Sequence, residues 1–364
     1  MKPITLSKKW IFPSVCGVLA LLTVVCLALF WRVCIALPTL NAASTWAGES
    51  GQPFAQIACY LPNEKLLQEE DIFSFRQKLD AKLTEAAMEA PEQGALYTDA
   101  YSGKATLTVT GERGNAEVKV IGVGGDFFRF HPLYLRSGSY LAETDLMKDR
   151  VLLDEELAWK LFGGMDLTGL TVTINGAEYY VAGVVSREDD RYSSLAYTDG
   201  AGMFMSFSAL KACREEVGIN CYEAVLPNPI SAFAANTLRE NFPLQDGILV
   251  ENSSRYSLGN LLTVMGDFGK RSMGIHGIIY PYWENAVRLT EDYAALLLLL
   301  TLLFAVLPAA ALCVVTVRRM LTVLNKGGKW LKNKLETSRE QRREKQKQWQ
   351  KNAGKKDENG QSTL

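Results

Sequence analysis

The chain has 364 residues, 48% of them apolar and 22% charged, and a formal net charge of −1 at pH 7. Seven cysteines in such a length exclude a disulfide-dense scaffold. The averages are those of an ordinary globular protein, but they conceal two runs without a single charge, Ile11 to Phe30 and Tyr293 to Val317.

Residues 1–10 carry Lys2, Lys8 and Lys9 and lead into the first run. A hydrocarbon core about 30 Å thick takes about 20 helical residues at 1.5 Å each. Only a helix satisfies its own backbone groups there, so residues 11–37 read as a membrane helix. The run exceeds the apolar stretch of a cleaved signal, and Trp31-Arg32 stand where small residues would mark cleavage. It is read as an uncleaved anchor, with Ala42-Ala43 as the alternative late cleavage site.

Residues 38–253 read as a folded domain mixing strands and helices, an α+β domain of two subdomains. Phe54 to Leu61 is a strand ending at Pro62, with Ile57, Cys59 and Leu61 on one side. Ile72, Phe75, Leu79, Leu83 and Ala86 recur at helical spacing, and Glu69-Glu70-Asp71 open that helix where carboxylates meet its positive end. Ala105 to Thr110 alternates, turns through Gly111 to Asn115, and returns over Ala116 to Val123 as an antiparallel pair. Asp154 caps a helix that ends at Gly163, with Glu156 and Lys160 four apart. Leu170 to Ile174, Asn175-Gly176 and Glu178 to Val185 form a second hairpin, whose Asn-Gly supplies positive φ angles. Phe207 to Val217 and Ser231 to Asn241 read as helices, and Tyr222 to Leu226 and Gly247 to Glu251 as strands. Residues 254–292 carry interrupted helical spacing at Leu258, Leu261, Leu262 and Met265 and read as a helical stalk. Residues 293–317 are the second membrane helix, in which Pro308 is read as a bend, and residues 318–364 are a basic tail.

Charge sets the orientation. From Arg318 to Leu364 there are 14 Lys/Arg against 5 Asp/Glu, whereas Pro38 to Glu291 holds 21 against 34. Positive residues flanking a membrane helix stay on the cytoplasmic side, so both termini are expected inside and the acidic middle outside. Trp10 and Trp31 flank the first run, and Tyr280, Tyr282, Trp283 and Tyr293 lead into the second, as interfacial aromatics do.

No catalytic, cofactor-binding or metal-binding set emerges from the sequence. His131 and His276 lie far apart, and no zinc-type His spacing, nucleophile elbow or phosphate loop occurs. Gly122 to Gly125 reads as a bulge or hairpin element. Glu188-Asp189-Asp190 reads as a solvated loop, without the spacing of a calcium loop. Asn252-Ser253-Ser254 fits a glycosylation pattern short enough to arise by accident. Of the exported cysteines, Cys213 and Cys221 are eight apart between a helix and a strand. They form either a disulfide or two buried thiols. Trp330, Leu331 and Leu335 lie on one side of the tail, which suits contact with the inner leaflet. A disordered positive anchor is the alternative, and nucleic acid is not expected as a partner.

Three segments resemble the periplasmic core domain of MacB-type ABC transporter permeases. They are Val123-Gly124-Gly125-Asp126-Phe127-Phe128, Leu135 to Leu141 with Ser139 where the family commonly has Arg, and Val151 to Gly163. The resemblance runs on through Asp166 to Val172, Asn175-Gly176 and Tyr180 to Val185. It implies an exported domain coupled through membrane helices to a cytoplasmic ATPase. The family's permeases have three membrane helices after this domain and this sequence one, so a separate ABC-type ATPase and another membrane subunit, or a second copy, are the expected partners. Ala309, Ala310 and Ala311 are the expected helix-pairing patch. The rival readings are a membrane sensor or adaptor with an exported binding module and, with less support, a tethered enzyme.

Overall fold

A computed structural model of the protein describes residues 8–48, 52–88, 95–197, 201–271, 274–275 and 277–360. Two units are distinguished, Ala28–Leu298 and the segments Met1–Leu27 with Leu299–Leu364. His276 lies outside the described residues.

Helix α1 covers Lys8–Cys34, and α2, Ala42–Ala47, follows a 3-10 turn at Pro38–Leu40. Strand β1 (Phe54–Tyr60) leads to α3 (Glu69–Glu85), then β2 (Thr98–Gly111) and β3 (Gly114–Gly125). Next come α4 (Phe127–Phe130), β4 (Tyr134–Gly138), β5 (Arg150–Asp154), α5 (Glu155–Leu161), β6 (Thr171–Ile174) and β7 (Ala177–Ser186). After α6 (Arg191–Ala196) follow β8 (Ala201–Ser206), α7 (Phe207–Cys213), β9 (Cys221–Pro227), α8 (Phe233–Asn241) and β10 (Ile248–Glu251). A 3-10 turn at Asn252–Ser254, α9 (Leu258–Asp267) and the two-residue strands β11 (Gly274–Ile275) and β12 (Ile278–Ile279) precede α10, Tyr282–Gly360.

Local sequence accounts for these elements. The Gln68 amide N–H donates to Asp71 Oδ2 at 2.9 Å, closing a capping box on α3. That helix buries Ile72, Phe75, Leu79 and Leu83 as the periodicity predicts, while Ala86 is its exposed C-cap. Asp154 caps α5 by accepting from the Leu157 N–H at 2.7 Å. Glu156 reaches toward Arg187 Nη1 at 3.2 Å, across to the end of β7. Asn175 and Gly176 have φ of 52° and 81°, the left-handed pair of a tight hairpin between β6 and β7.

Ten strands form one sheet in the order β10-β1-β9-β2-β3-β8-β5-β7-β4, with β6 bonded to both β2 and β7. The sheet has two differently built ends. β10-β1-β9-β2 is wholly antiparallel, and the chain order β1-α3-β2, then β9-α8-β10, is a split βαβ unit of the ferredoxin-like kind. Everything from β3 to α7 is inserted between its second and third strands. There, β2, β3, β8, β5, β7 and β6 pair in a closed ring that returns to β2. The two expected subdomains therefore share a strand. Thr98 to Ser102 of β2 pair with β9, and Val109 and Thr110 pair with β6.

Alternation along the strands divides the interior in two. One face, with Ile57, Cys59, Tyr222 and Ala224, packs against α3, α5, α7 and α8. The other, with Ala58, Tyr60, Ala100, Ile121 and Val225, packs against Ala42, Ala43, Phe127, Tyr280 and Trp283.

Several elements differ from the sequence reading. β2 begins seven residues before the alternating stretch, at Thr98, because Asp99 and Ser102 are buried by partners rather than by apolarity. The stretch 254–292 is not one helical stalk. Glycines and the short β11–β12 hairpin break it into α9 and the root of α10. Two helices among the described residues are long and apolar enough to cross a membrane, Ile11–Cys34 and the run within Tyr282–Lys345. Their apolar side chains are exposed, as at Leu21, Val24, Leu303 and Val306, which a buried core helix would not allow.

Candidate functional site

Helix α10 starts directly after Pro281, whose carbonyl accepts from the Asn285 N–H at 3.1 Å. Its first turns read Tyr-Trp-Glu-Asn-Ala-Val-Arg-Leu-Thr-Glu-Asp, and helical spacing places Trp283, Glu284, Val287, Thr290, Glu291 and Ala294 in the interior. Ala286 and Val287 pack with Leu37 and Ala196. Ala294 and Ala295 pack with Val33, Leu261 and Val264. The root of α10 and the end of α1 are thus built into the domain.

Two carboxylates on that buried stripe, Glu284 and Glu291, stand seven residues apart, or two turns on one face. Between them lies Arg255, from the turn after β10, with 2% of its side chain exposed. Its Nη2 pairs with Glu284 Oε2, and its Nη1 lies 3.4 Å from Glu291 Oε2. Arg255 Nε donates to Asn252 Oδ1 at 2.9 Å. The Tyr60 hydroxyl, on β1, donates to Glu284 Oε2 at 2.8 Å. Arg271, just beyond α9, donates to Glu291 Oε2 at 2.6 Å, and Asn260 Nδ2 donates to Glu291 Oε1 at 3.2 Å. Arg271 Nε also stands 3.0 Å from Asp292 Oδ1. Tyr256 OH meets Thr290 Oγ1 at 2.7 Å.

Burial pushes the Glu284 carboxyl above its ordinary value, against the opposing pull of Arg255. Burial alone would lower Arg255, but Glu284 and Glu291 hold it above the usual guanidinium range. Burial, then Glu284, drives the Tyr60 phenol well above its ordinary value. The cluster has no nucleophile beside a base. Its geometry ties one helix to a sheet strand, a turn and a second helix. Breaking one side of such a buried pair costs about 3–5 kcal/mol, so the joint is stiff.

A second buried pair lies close by. His131 Nε2 is 2.5 Å from Glu223 Oε2, and the imidazole packs on Trp283 with ring centroids 4.5 Å apart. Both side chains are almost wholly buried, which makes His131 part of the packing under α10. Among the described residues no group of three or more His, Cys, Asp or Glu could hold a metal ion.

The structure does not bring Cys213 and Cys221 together. Both thiols are free. Cys221 lies on the sheet face shared with Ala58 and Ile121, whereas Cys213 packs on the opposite face and its Sγ lies 3.2 Å from Tyr179 OH. The strand's alternation sends Cys221 through the sheet, away from the end of α7. Ala309 and Ala310 are exposed and Ala311 half-buried. Trp330, Leu331 and Leu335 are exposed, with Lys334 Nζ 4.8 Å from the Trp330 ring centroid. Of the acidic loop, Asp190 caps α6 through the Tyr192 and Ser193 N–H groups, and Glu188 accepts from Tyr282 OH at 3.1 Å.

Sequence reading missed Arg255, Arg271, Glu284 and Glu291. The signal available was the position of both glutamates on the apolar stripe of Trp283, Val287 and Ala294, where a carboxylate calls for a buried cation.

Residues 48–235 match the model of the MacB-like periplasmic core domain, more than half of the chain. The chain belongs to this family. The matched span contains β1 to β9 and stops within α8, short of the joint at α10. Among solved structures, the periplasmic region of MacB from Actinobacillus actinomycetemcomitans aligns at 14% identity over 60% of this chain and 94% of its own, with a TM-score of 0.41. The extracellular domain of the noncanonic ABC-type transporter YknZ from Gram-positive bacteria aligns at 16% identity, covering 52% and 92%, with a TM-score of 0.35. A domain of a putative permease from Porphyromonas gingivalis gives 13% identity, 58% and 98%, and 0.32. No curated protein matches the chain. The protein is thus a membrane protein carrying a MacB-like extracytoplasmic domain.

Proposed function

We propose that this MacB-like protein is a permease-related membrane subunit that couples movement of its extracytoplasmic domain to a cytoplasmic ABC-type ATPase through partner subunits. The observation that carries the reading is the cluster of Arg255, Glu284, Glu291 and Arg271, which makes the domain and the root of α10 a single body. The charge split supports a cytoplasmic position for both termini, with 38–292 outside. The apolar runs contain no Asp, Glu, Lys, Arg or His, so neither helix supplies an ion route of its own, and two helices do not enclose a polar pathway. Pairing through Ala309, Ala310 and Ala311 with a second copy or another membrane subunit supplies the missing surface, and Trp330, Leu331 and Leu335 rest the basic tail on the inner leaflet.

The test is purification of the tagged full chain from native membranes under mild detergent. An ABC-type ATPase recovered in stoichiometric amount, and lost when Ala310 is replaced by Phe, is the expected result. Recovery of the chain alone after membrane crosslinking would overturn the subunit reading in favour of a tethered binding module.

A further inference from the structure

The helical spacing of Leu258, Leu261, Leu262 and Met265 does not resolve into one buried stripe in α9. Leu261 and Val264 are buried with Val33, Ala294 and Ala295, in a cluster whose margin includes Met265, Phe30, Tyr293, Leu297 and Leu298. Leu258 and Leu262, one turn apart, are instead 61% and 53% exposed, and Phe268, just past the helix end, is 41% exposed. Gly259, Gly266 and Gly269 likewise face open space.

An apolar outward face is out of place in water. The surface helix of a soluble domain turns charged side chains outward. Ser257 to Gly266 carries none, although 38–291 holds 34 Asp/Glu and 21 Lys/Arg. What covers this face follows from what the other face touches. Phe30 is the last residue of the first uncharged run, and Tyr293, Leu297 and Leu298 open the second. Both runs thus reach α9 at their domain-side ends, where acyl chains give way to headgroups. Interfacial side chains mark the same level. Trp31 is exposed, the Tyr192 and Tyr293 rings meet at 5.7 Å, and the Arg191 guanidinium lies 5.5 Å over the Tyr293 ring. Arg32, next to Val33, and Lys270, two residues after Phe268, are exposed cations on stems long enough to reach a headgroup phosphate.

We propose that α9 is an interfacial helix whose Leu258, Leu262 and Phe268 side is embedded among the acyl chains of the domain-side leaflet. The chain then contacts the bilayer at a third place besides its two membrane runs. Asn260 of α9 and Arg271 beyond it both bond Glu291, so this contact holds the root of α10 at a fixed depth. The inference rests on the membrane runs and not on the proposed partnership with an ATPase.

The purified full chain, one copy per nanodisc of phosphatidylcholine carrying an acyl-chain diazirine, tests it by residue-level mass spectrometry after irradiation. Leu258, Leu262 and Phe268 should be labelled within about threefold of Leu299 and Leu302, because an interfacial helix sinks its apolar face to the acyl boundary. Leu146, Met147 and Ile230 are more exposed but belong to the domain alone, and should be labelled at least about tenfold less. Leu262→Glu should lower labelling at Leu258 by about fivefold while Leu299 keeps its level, and Leu262→Phe should preserve both. Labelling of α9 no stronger than that of Leu146 and Ile230, with Leu299 labelled, would overturn this inference alone. An unlabelled Leu299 would overturn the membrane reading beneath it. In native membranes, benzoylphenylalanine incorporated in place of Leu262 should give lipid adducts on irradiation. A polypeptide adduct would overturn the lipid in favour of a second copy or another subunit.

Discussion

Replacing Arg255 by Met tests whether the joint at the root of α10 is ionic in substance. The side chain is almost wholly buried and faces two carboxylates. Glu291 keeps Arg271 and Asn260 when Arg255 is removed, whereas Glu284 keeps only the hydroxyl of Tyr60. An isolated buried carboxylate takes up a proton rather than remain charged. Holding Glu284 protonated at pH 7, against an unfolded value of about 4.3, costs about 1.4 kcal/mol per unit over about 2.7 units, or roughly 3.7 kcal/mol. That figure is a ceiling, because burial already raises Glu284 in the native protein. For a domain of this size about 1 kcal/mol moves Tm by roughly 2–4 °C, so the ceiling corresponds to a loss of about 7–15 °C and a measurable loss within it is expected. The assay is thermal unfolding of the full chain in nanodiscs, followed by fluorescence of the tryptophans, among them the buried Trp283. The deficit should shrink by about 1.4 kcal/mol for each unit of pH lowered and nearly vanish at about pH 4.5, leaving only the packing loss. A deficit as large at pH 5 as at pH 7, or a midpoint within the error of the native protein at pH 7, would refute the reasoning.

Four further outcomes are expected. Because the folded Glu284 carboxyl is raised, its stabilising contribution is complete below its ordinary value of 4.5 and declines as pH rises through the folded value, so Glu284→Gln should gain stability relative to the native protein as a titration climbs from acid toward neutral. Asp154→Ala should cost about 1–2 kcal/mol through loss of the α5 cap, with Asp154→Asn recovering part of it in a denaturant titration. Gly176→Ala should cost about 1–2 kcal/mol by backbone conformation alone, since φ is 81° and open space surrounds the new Cβ. Cysteines placed at Asp189 and Ser338 should label from outside and only after permeabilisation, respectively; labelling of Ser338→Cys in intact cells would invert the assigned topology.

What the sequence disclosed followed the strength of local pattern. The Asn175-Gly176 hairpin was legible because only a few residue types take positive φ at both positions, and α3 because four apolar residues recur on one face. The closed ring was not legible. Its closure depends on two residues of β2 meeting two of β6, a non-local pairing with no trace in either segment. β8 was missed for a similar reason: Gly202 to Met205 are buried on both faces of the sheet interior, so the segment does not alternate. Cys213 and Cys221 show how spacing misleads, since eight residues are close enough for a disulfide while a strand's alternation decides which face each thiol occupies.

The ionic cluster also bears on why the joint sits where it does. From Tyr293 to Val317 α10 has no acidic or basic side chain, and positions such as Leu299, Leu302 and Val306 are exposed and aliphatic. Dispersion contacts of that kind are non-directional and vary little when a helix slides or turns by a fraction of a residue. Paired charges behave differently: Glu284 and Glu291 reach Arg255 together at one rotation of α10, and Arg271 meets Glu291 and Asp292 at the same one. Register along the membrane run must therefore be imposed from its end. Under the proposed role, the place to fix it is the last turn before the charges run out, and Glu291 and Asp292 are the last acidic side chains before residue 318.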